Sequence, residues 1–267
     1  MSRITSPRTR KTALVTGASM GIGLELARQF ASHGHDVVLV ARHRETLEAV
    51  AARLETESGI SARVIVADLS DRNAPQSLFD EVRSAQLQID FLVNNAGFGL
   101  GGEFSSTDLD RELDIIQVNM AALTHVTKLF LPQMIERRNG RIMQLASIAA
   151  FQPGPMMAVY YASKAYVLSF SQALSEELRD SGVTVTALCP GPTATNFAAT
   201  ARVSNSMVFA KTGVASASDV ASYGYSAMMR GKRIAIPSMR DRVMVQIQRI
   251  APRAMVTRIV RKLQENR

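Results

Sequence analysis

Short apolar runs recur along this chain, each bounded by glycine, proline or charged residues. TALVT (12–16), VVLVA (37–41), ARVIVADLS (62–70), FLVNNAG (91–97), RIMQLAS (141–147), VTVTALCPG (183–191) and GKRIAIPS (231–238) read as strands. Most are apolar on both faces rather than alternating, as strands buried beneath two layers require. Between them the period lengthens to that of a helix, as in LELARQFASHG after the first run and RETLEAVAARLETESG after the second. Strand and helix in alternation predict an α/β fold, with a parallel sheet of about seven strands and helices on both faces.

The composition fits a single α/β unit: 267 residues, 46% hydrophobic and 20% charged. The polar, basic start MSRITSPRTRKTALVTG has no signal-peptide core, and no run approaches the ~18 apolar residues of a spanning helix. Cys189 stands alone, which excludes an intramolecular disulfide, and His33, His35, His43 and His125 show no metal spacing. These features predict an intracellular, cytoplasmic protein, soluble or attached peripherally. Charge changes the picture at one end only. Residues 230–267 hold eleven of the 31 basic and two of the 23 acidic residues, so they carry +9 and the remainder −1. In that tail Val243, Met244, Ile247 and Ile250, then Met255, Val256, Ile259, Val260 and Leu263, recur at helical spacing. The expected division is a polar arm (1–11), a catalytic domain (12–238) and a basic amphipathic helical tail (239–267).

The first run ends in Gly17-Ala18-Ser19-Met20-Gly21-Ile22-Gly23 and opens into a helix. A glycine turn in that context lets backbone approach a pyrophosphate, which the helix N-terminus attracts. The second run ends at Ala41 with Arg42 next. An acid at this place suits the 2′-hydroxyl of NAD, whereas arginine suits a 2′-phosphate, so NADP(H) is favoured over NAD(H). Farther on, YYASK (160–164) puts Tyr160 and Lys164 four residues apart on one helical face, while Tyr161 points elsewhere. A nearby ammonium favours a phenolate, so Lys164 is expected to lower the Tyr160 pKa.

TGASMGIG (16–23), NNAG (94–97), Asn119, Ser147, Tyr160-x3-Lys164 and PGPTAT (190–195), in this order, resemble the motifs of short-chain dehydrogenases/reductases over about residues 12–195. The resemblance implies a Rossmann-type doubly wound sheet and hydride transfer between a nicotinamide and a ketone or alcohol. It implies that Tyr160 is the acid/base, that Lys164 also holds the nicotinamide ribose, that Ser147 binds the substrate oxygen and that Asn119 extends the proton path through a water. The cofactor would contact Gly17, Ser19, Gly21, Ile22, Gly23, Arg42, Asp68, Leu69, Asn95, Ala96, Gly97, Pro190, Gly191 and Thr193, as well as Tyr160 and Lys164. Relatives commonly form homodimers or homotetramers.

Two apolar segments border the substrate in this family. One follows Ser147 and holds Phe151, Met156 and Met157, and the other holds Phe197, Met207 and Phe209. With Ser147, the residues Phe151, Met157 and Phe197 are therefore the expected substrate contacts. The substrate is expected to be an apolar ketone or alcohol, lipid-like, 3-oxoacyl or steroid-like. Three readings of the tail stay open: docking on the domain or a partner subunit, contact with an anionic membrane surface, or contact with a polyanion. No nucleic-acid motif is visible. The competing function is a non-catalytic NADP(H)-binding sensor or scaffold, which would need only the binding half of these motifs.

Overall fold

The computed structural model describes residues 10–203 and 214–264. The apolar runs fold into β1 (Thr12–Thr16), β2 (Asp36–Ala41), β3 (Ala62–Val66), β4 (Phe91–Asn94), β5 (Gly140–Leu145), β6 (Val183–Leu188) and β9 (Ile234–Ala235). These seven pair in parallel in the order β3-β2-β1-β4-β5-β6-β9. Two short strands, β7 (Thr193–Ala194) and β8 (Ala215–Ser216), pair separately. Among the described residues the principal helices are α1 (Gly21–Ser32), α2 (Arg44–Ser58), α3 (Ala74–Ser84), α4 (Leu109–Ile116), α5 (Leu123–Glu136), α6 (Ala158–Glu177), α7 (Phe197–Thr200), α8 (Ala217–Met229), α9 (Met239–Ile250) and α10 (Arg253–Gln264).

The alternation of strand side chains explains why the central strands carry almost no polar positions. Ala13 and Val15 of β1, Val37 and Leu39 of β2, and Phe91 and Val93 of β4 face a core built with Leu26 and Phe30 of α1 and Val220 and Met228 of α8. Leu14, Val38, Val40 and Leu92 face the opposite core, against Leu78 of α3 and Phe130 and Met134 of α5. Each residue thus meets a helix layer whichever way it points. The edge strand β3 is only half covered, and Val66 at its end is exposed.

Strand order reverses between β1 and β4, so the loops leaving their C-terminal ends diverge and open a crevice. Thr16 fixes its floor. Its hydroxyl oxygen accepts from the backbone N–H groups of Asn95 and Ala96, both at 3.0 Å, and the Asn95 side-chain amide donates to the Thr16 carbonyl at 2.9 Å. These bonds turn the chain out of β4 after Asn94, so the strand is shorter than the apolar run that encodes it. Beneath the crevice, Asn94, Thr127 and Gln144 form a buried polar trio at 2.9–3.0 Å that ties β4 and β5 to α5. Pairing of β9 also stops early, at Ala235. The next carbonyl, that of Ile236, accepts from the Arg242 guanidinium, and Pro237 has no N–H to extend the ladder.

Replacing Thr16 with valine leaves the Ala96 N–H without its acceptor, at about 1–3 kcal/mol, whereas the Asn95 N–H keeps the Val93 carbonyl at 3.2 Å. Urea unfolding of Thr16→Val should show a loss of about 1–2 kcal/mol, with Thr16→Ser largely restoring stability. A loss below about 0.5 kcal/mol would show that this contact does not hold the crevice.

Candidate active site

The turn from β1 into α1 lies bare at the crevice. Gly17 and Gly21 have φ of +66° and +59°, in the left-handed region that L side chains avoid. A Cβ on Gly23 would overlap the Gly17 carbonyl and the Asn95 amide, so the turn packs against α1 only as glycine. No side chain caps α1 at Met20 and no acid stands in its first turn, which leaves its N–H groups and positive dipole end toward the crevice. A cavity of about 330 Å³ opens there. Gly17, Ser19, Gly21, Ile22, Gly23, Arg42, Asp68, Leu69, Asn95, Ala96 and Gly97 all line it. Uncapped amides, bare glycines and a basic rim fit a dinucleotide pyrophosphate with its ribose beyond.

Arg42 is exposed on that rim, with Asp68 nearby. Burial works against the Asp68 carboxylate, yet hydrogen bonds from the Ser70 N–H and hydroxyl (3.0 and 2.8 Å) and the Arg42 charge outweigh it. They hold its pKa below the ordinary value. Asp36 opens β2 at the far end of the strand and accepts from the Ser61 N–H at 2.8 Å, away from any ribose. Pro190, Gly191 and Thr193 stand apart from the cavity wall. The Pro190 carbonyl accepts from the Ile148 N–H at 3.0 Å and from the Ser147 hydroxyl at 3.4 Å, so this loop supports the serine.

Tyr160 and Lys164 share one face of α6 as their spacing requires, the ammonium 5.8 Å from the ring centroid. Lys164 is buried, and its Nζ donates to the Leu145 carbonyl at 2.8 Å. Burial lowers its pKa to about 8, with Cys189 acting weakly in the opposite direction. Burial likewise raises the Tyr160 phenol above its ordinary value, and a hydrogen bond with Ser147 opposes this only in part. The expected depression of Tyr160 by Lys164 is therefore not what this geometry gives: desolvation of the phenol dominates, and the opposing contribution comes from Ser147.

Asn119 lies in a π-helical turn, Gln117–Ala122, between α4 and α5, an irregularity common at functional sites. Its amide donates to the Phe98 carbonyl and the Ser163 hydroxyl, both at 3.0 Å, while its carbonyl accepts from the Phe98 N–H at 3.1 Å. A Cβ on Gly97 would touch the Asn119 carbonyl oxygen and come within 3.4 Å of Lys164 Nζ, so the dyad adjoins the cavity through a glycine wall.

Met157, Phe197 and Tyr160 converge around Gly99, each about 3 Å from where its Cβ would stand. The Tyr160 and Phe197 rings lie 5.1 Å apart. Phe151 does not join them and packs instead with Val245 of α9. Met207 and Phe209 fall outside the described residues. Arg202, in the same segment as Phe197, is exposed. Tyr161 is buried, its ring 6.0 Å from that of Tyr160, packed with Val256 and Val260 of α10, and accepts a 2.6 Å hydrogen bond from Gln264.

Several participants are not among the residues expected at the site. Thr16 acts through its hydroxyl, and Ser163 anchors Asn119. Asn196 reaches across the cavity mouth to the Met20 sulfur at 3.7 Å. Arg111 stacks over the Phe98 ring at 4.7 Å and pairs with Asp114. Asp90 is buried, accepting from the Thr12 N–H at 3.0 Å.

A family model described as short chain dehydrogenase matches residues 11–206. A very-long-chain 3-oxoacyl-CoA reductase of Anas platyrhynchos is 36% identical over 184 residues, covering 67% of this chain and 58% of that one. The chain thus spans less than two thirds of that relative's length. A short-chain dehydrogenase from Sphingobium yanoikuyae, solved in complex with NADPH, superposes with a TM-score of 0.80 at 32% identity, covering 90% of this chain and 94% of that one. A short chain dehydrogenase/reductase from Burkholderia phymatum, solved in complex with NAD, gives 0.81 at 25% identity, covering 91% and 96%.

The Lys164 shift has a definite sign. Between about pH 8 and its unfolded value near 10.5 the native protein has released a proton that the unfolded chain still holds. Stability from this group therefore rises with pH across that window, and the full burial penalty is present below pH 8. In a lysine ¹³Cε NMR titration of the free protein, one resonance should titrate near pH 8 and be missing from Lys164→Arg. A spectrum in which every lysine titrates above about 9.5 would contradict the assigned burial.

Proposed function

We propose a function from one premise: the chain belongs to the short chain dehydrogenase family. It is an oxidoreductase, and our reading is that it reduces an apolar ketone with NADPH. The observation that carries this reading is the position of Ser147, Tyr160 and Lys164 beside the glycine-lined cavity.

NADPH, when bound, would supply a hydride. The uncapped start of α1 would hold its pyrophosphate and Arg42 its 2′-phosphate. Ser147 donates to the carbonyl oxygen and fixes it toward Tyr160. As negative charge develops on that oxygen, the Tyr160 hydroxyl delivers its proton there. The Lys164 ammonium, one helical turn away, stabilises the phenolate left behind.

Met157 and Phe197 beside Tyr160 give the reacting carbonyl an apolar neighbour, and Arg202 points to solvent, so a lipid-like, 3-oxoacyl or steroid-like body suits this side. The name of the Anas platyrhynchos relative agrees with that class. Preference for NADP(H) rests on Arg42 and the missing acid after β2, since the two solved relatives hold different cofactors. Exposed Leu109, Leu113 and Ile116 on α4 support a homodimer or homotetramer.

Ketone reduction followed by NADPH absorbance should fall by about 10²–10⁴-fold in Tyr160→Phe, with cofactor binding retained. An undiminished rate would remove Tyr160 from the chemistry, and NADPH binding without turnover of any ketone would favour the sensor. Arg42→Asp should lower kcat/KM for NADPH by at least about tenfold and raise that for NADH. No change in the ratio would remove Arg42 from cofactor choice.

A further inference from the structure

The last two helices present unlike faces. Toward the domain, Val245 of α9 and Val256, Val260 and Gln264 of α10 are buried, α10 lying against Met157 and Tyr161. Away from it, Met239, Val243, Ile247 and Ile250 form an exposed stripe along α9, with Ile247 60% and Ile250 88% exposed. Met255, Ile259 and Leu263 repeat the stripe on α10. Monomeric domains leave single apolar residues in water, but a stripe running along two successive helices marks a contact surface.

Charge identifies the occupant. From Arg242 to Gln264 the chain has six Lys or Arg and no acidic residue. Arg242 is engaged with the Ile236 carbonyl and the Tyr223 hydroxyl, so it belongs to the domain side. Arg253, Arg258 and Lys262 accompany the α10 stripe in sequence. A second copy meeting this face about a two-fold axis would oppose like charges. A neutral apolar surface would leave them uncompensated. An anionic bilayer leaflet supplies an acyl layer for the isoleucines and negative headgroups for the arginines. We propose that α9 and α10 dock this protein on anionic lipid membranes, the exposed stripe of Val243, Ile247, Ile250, Met255 and Ile259 entering the headgroup boundary. Among the described residues no helix is long and apolar enough to cross a bilayer, so the contact is peripheral. If the reading of the site as a lipid-like ketone reductase holds, docking also brings α10, which adjoins the substrate side of Tyr160, to the lipid surface.

The test is co-sedimentation of the full chain with phosphatidylcholine vesicles, alone or with about 30% phosphatidylglycerol. Binding should require the anionic lipid, weaken as salt rises, and fall at least about tenfold in both Ile247→Asp/Ile250→Asp and Arg253→Glu/Arg258→Glu. NADPH turnover of a water-soluble ketone should be unchanged in the first variant, which separates loss of docking from loss of fold. Vesicle binding is read without any turnover, so failure of the reductase reading and failure of docking are distinguishable. The proposal is overturned by equal binding to neutral and anionic vesicles, or by variants that sediment like the wild type. It is also overturned if the isoleucine variant changes oligomeric state and leaves vesicle binding intact, because a second copy would then occupy the face.

Discussion

The hydroxyl of Thr16 accepts hydrogen bonds from two consecutive backbone N–H groups at the end of β4, and the site is assembled around that contact. It ties the last residue of one central strand to the turn leaving its neighbour, at the place where strand order reverses. With the chain drawn in there, Gly17 and Gly23 have no room for a side chain and Asn95 closes over the turn. What remains open is a backbone-lined cleft at a helix start, where an anion can approach N–H groups directly. From the same loop, Gly97 and Gly99 form the wall that meets Asn119, Lys164 and Tyr160.

Burial then sets the proton chemistry. It acts on Tyr160 and Lys164 in opposite senses of pKa because it penalises whichever form is charged, phenolate in one case and ammonium in the other. The phenol is held as a donor, while the lysine keeps a titratable charge close to physiological pH. Ser147 is oriented by the Pro190 loop below it and its hydroxyl accepts from the Ala149 N–H at 3.1 Å, so its position beside the phenol is fixed by backbone.

Features that depend on local rules were legible in the sequence. A both-faces-apolar run followed by glycines specifies a buried strand and a bare turn, and i, i+4 spacing puts Tyr160 beside Lys164 and turns Tyr161 away. Strand ends were less legible. The runs ending in Asn95–Gly97 and in Ile236–Ser238 stop pairing early because distant partners, Thr16 and Arg242, capture their backbone groups. Pro190, Gly191 and Thr193 fit a motif by position, yet only the folded loop shows that Pro190 braces Ser147. The direction of the Tyr160 shift was beyond sequence altogether, since it depends on how many atoms from remote segments exclude water from the ring. The inward face of α10, with Gln264 on Tyr161, is also a product of tertiary packing.

The most direct measurement is the fate of the hydride. NADPH carrying two deuterium atoms at nicotinamide C4 would be turned over with a long-chain ketone and the product examined by mass spectrometry. Deuterium at the carbinol carbon of the alcohol is the expected result. Recovery of unlabelled alcohol, or of unchanged ketone with the cofactor firmly bound, would contradict hydride transfer at this site.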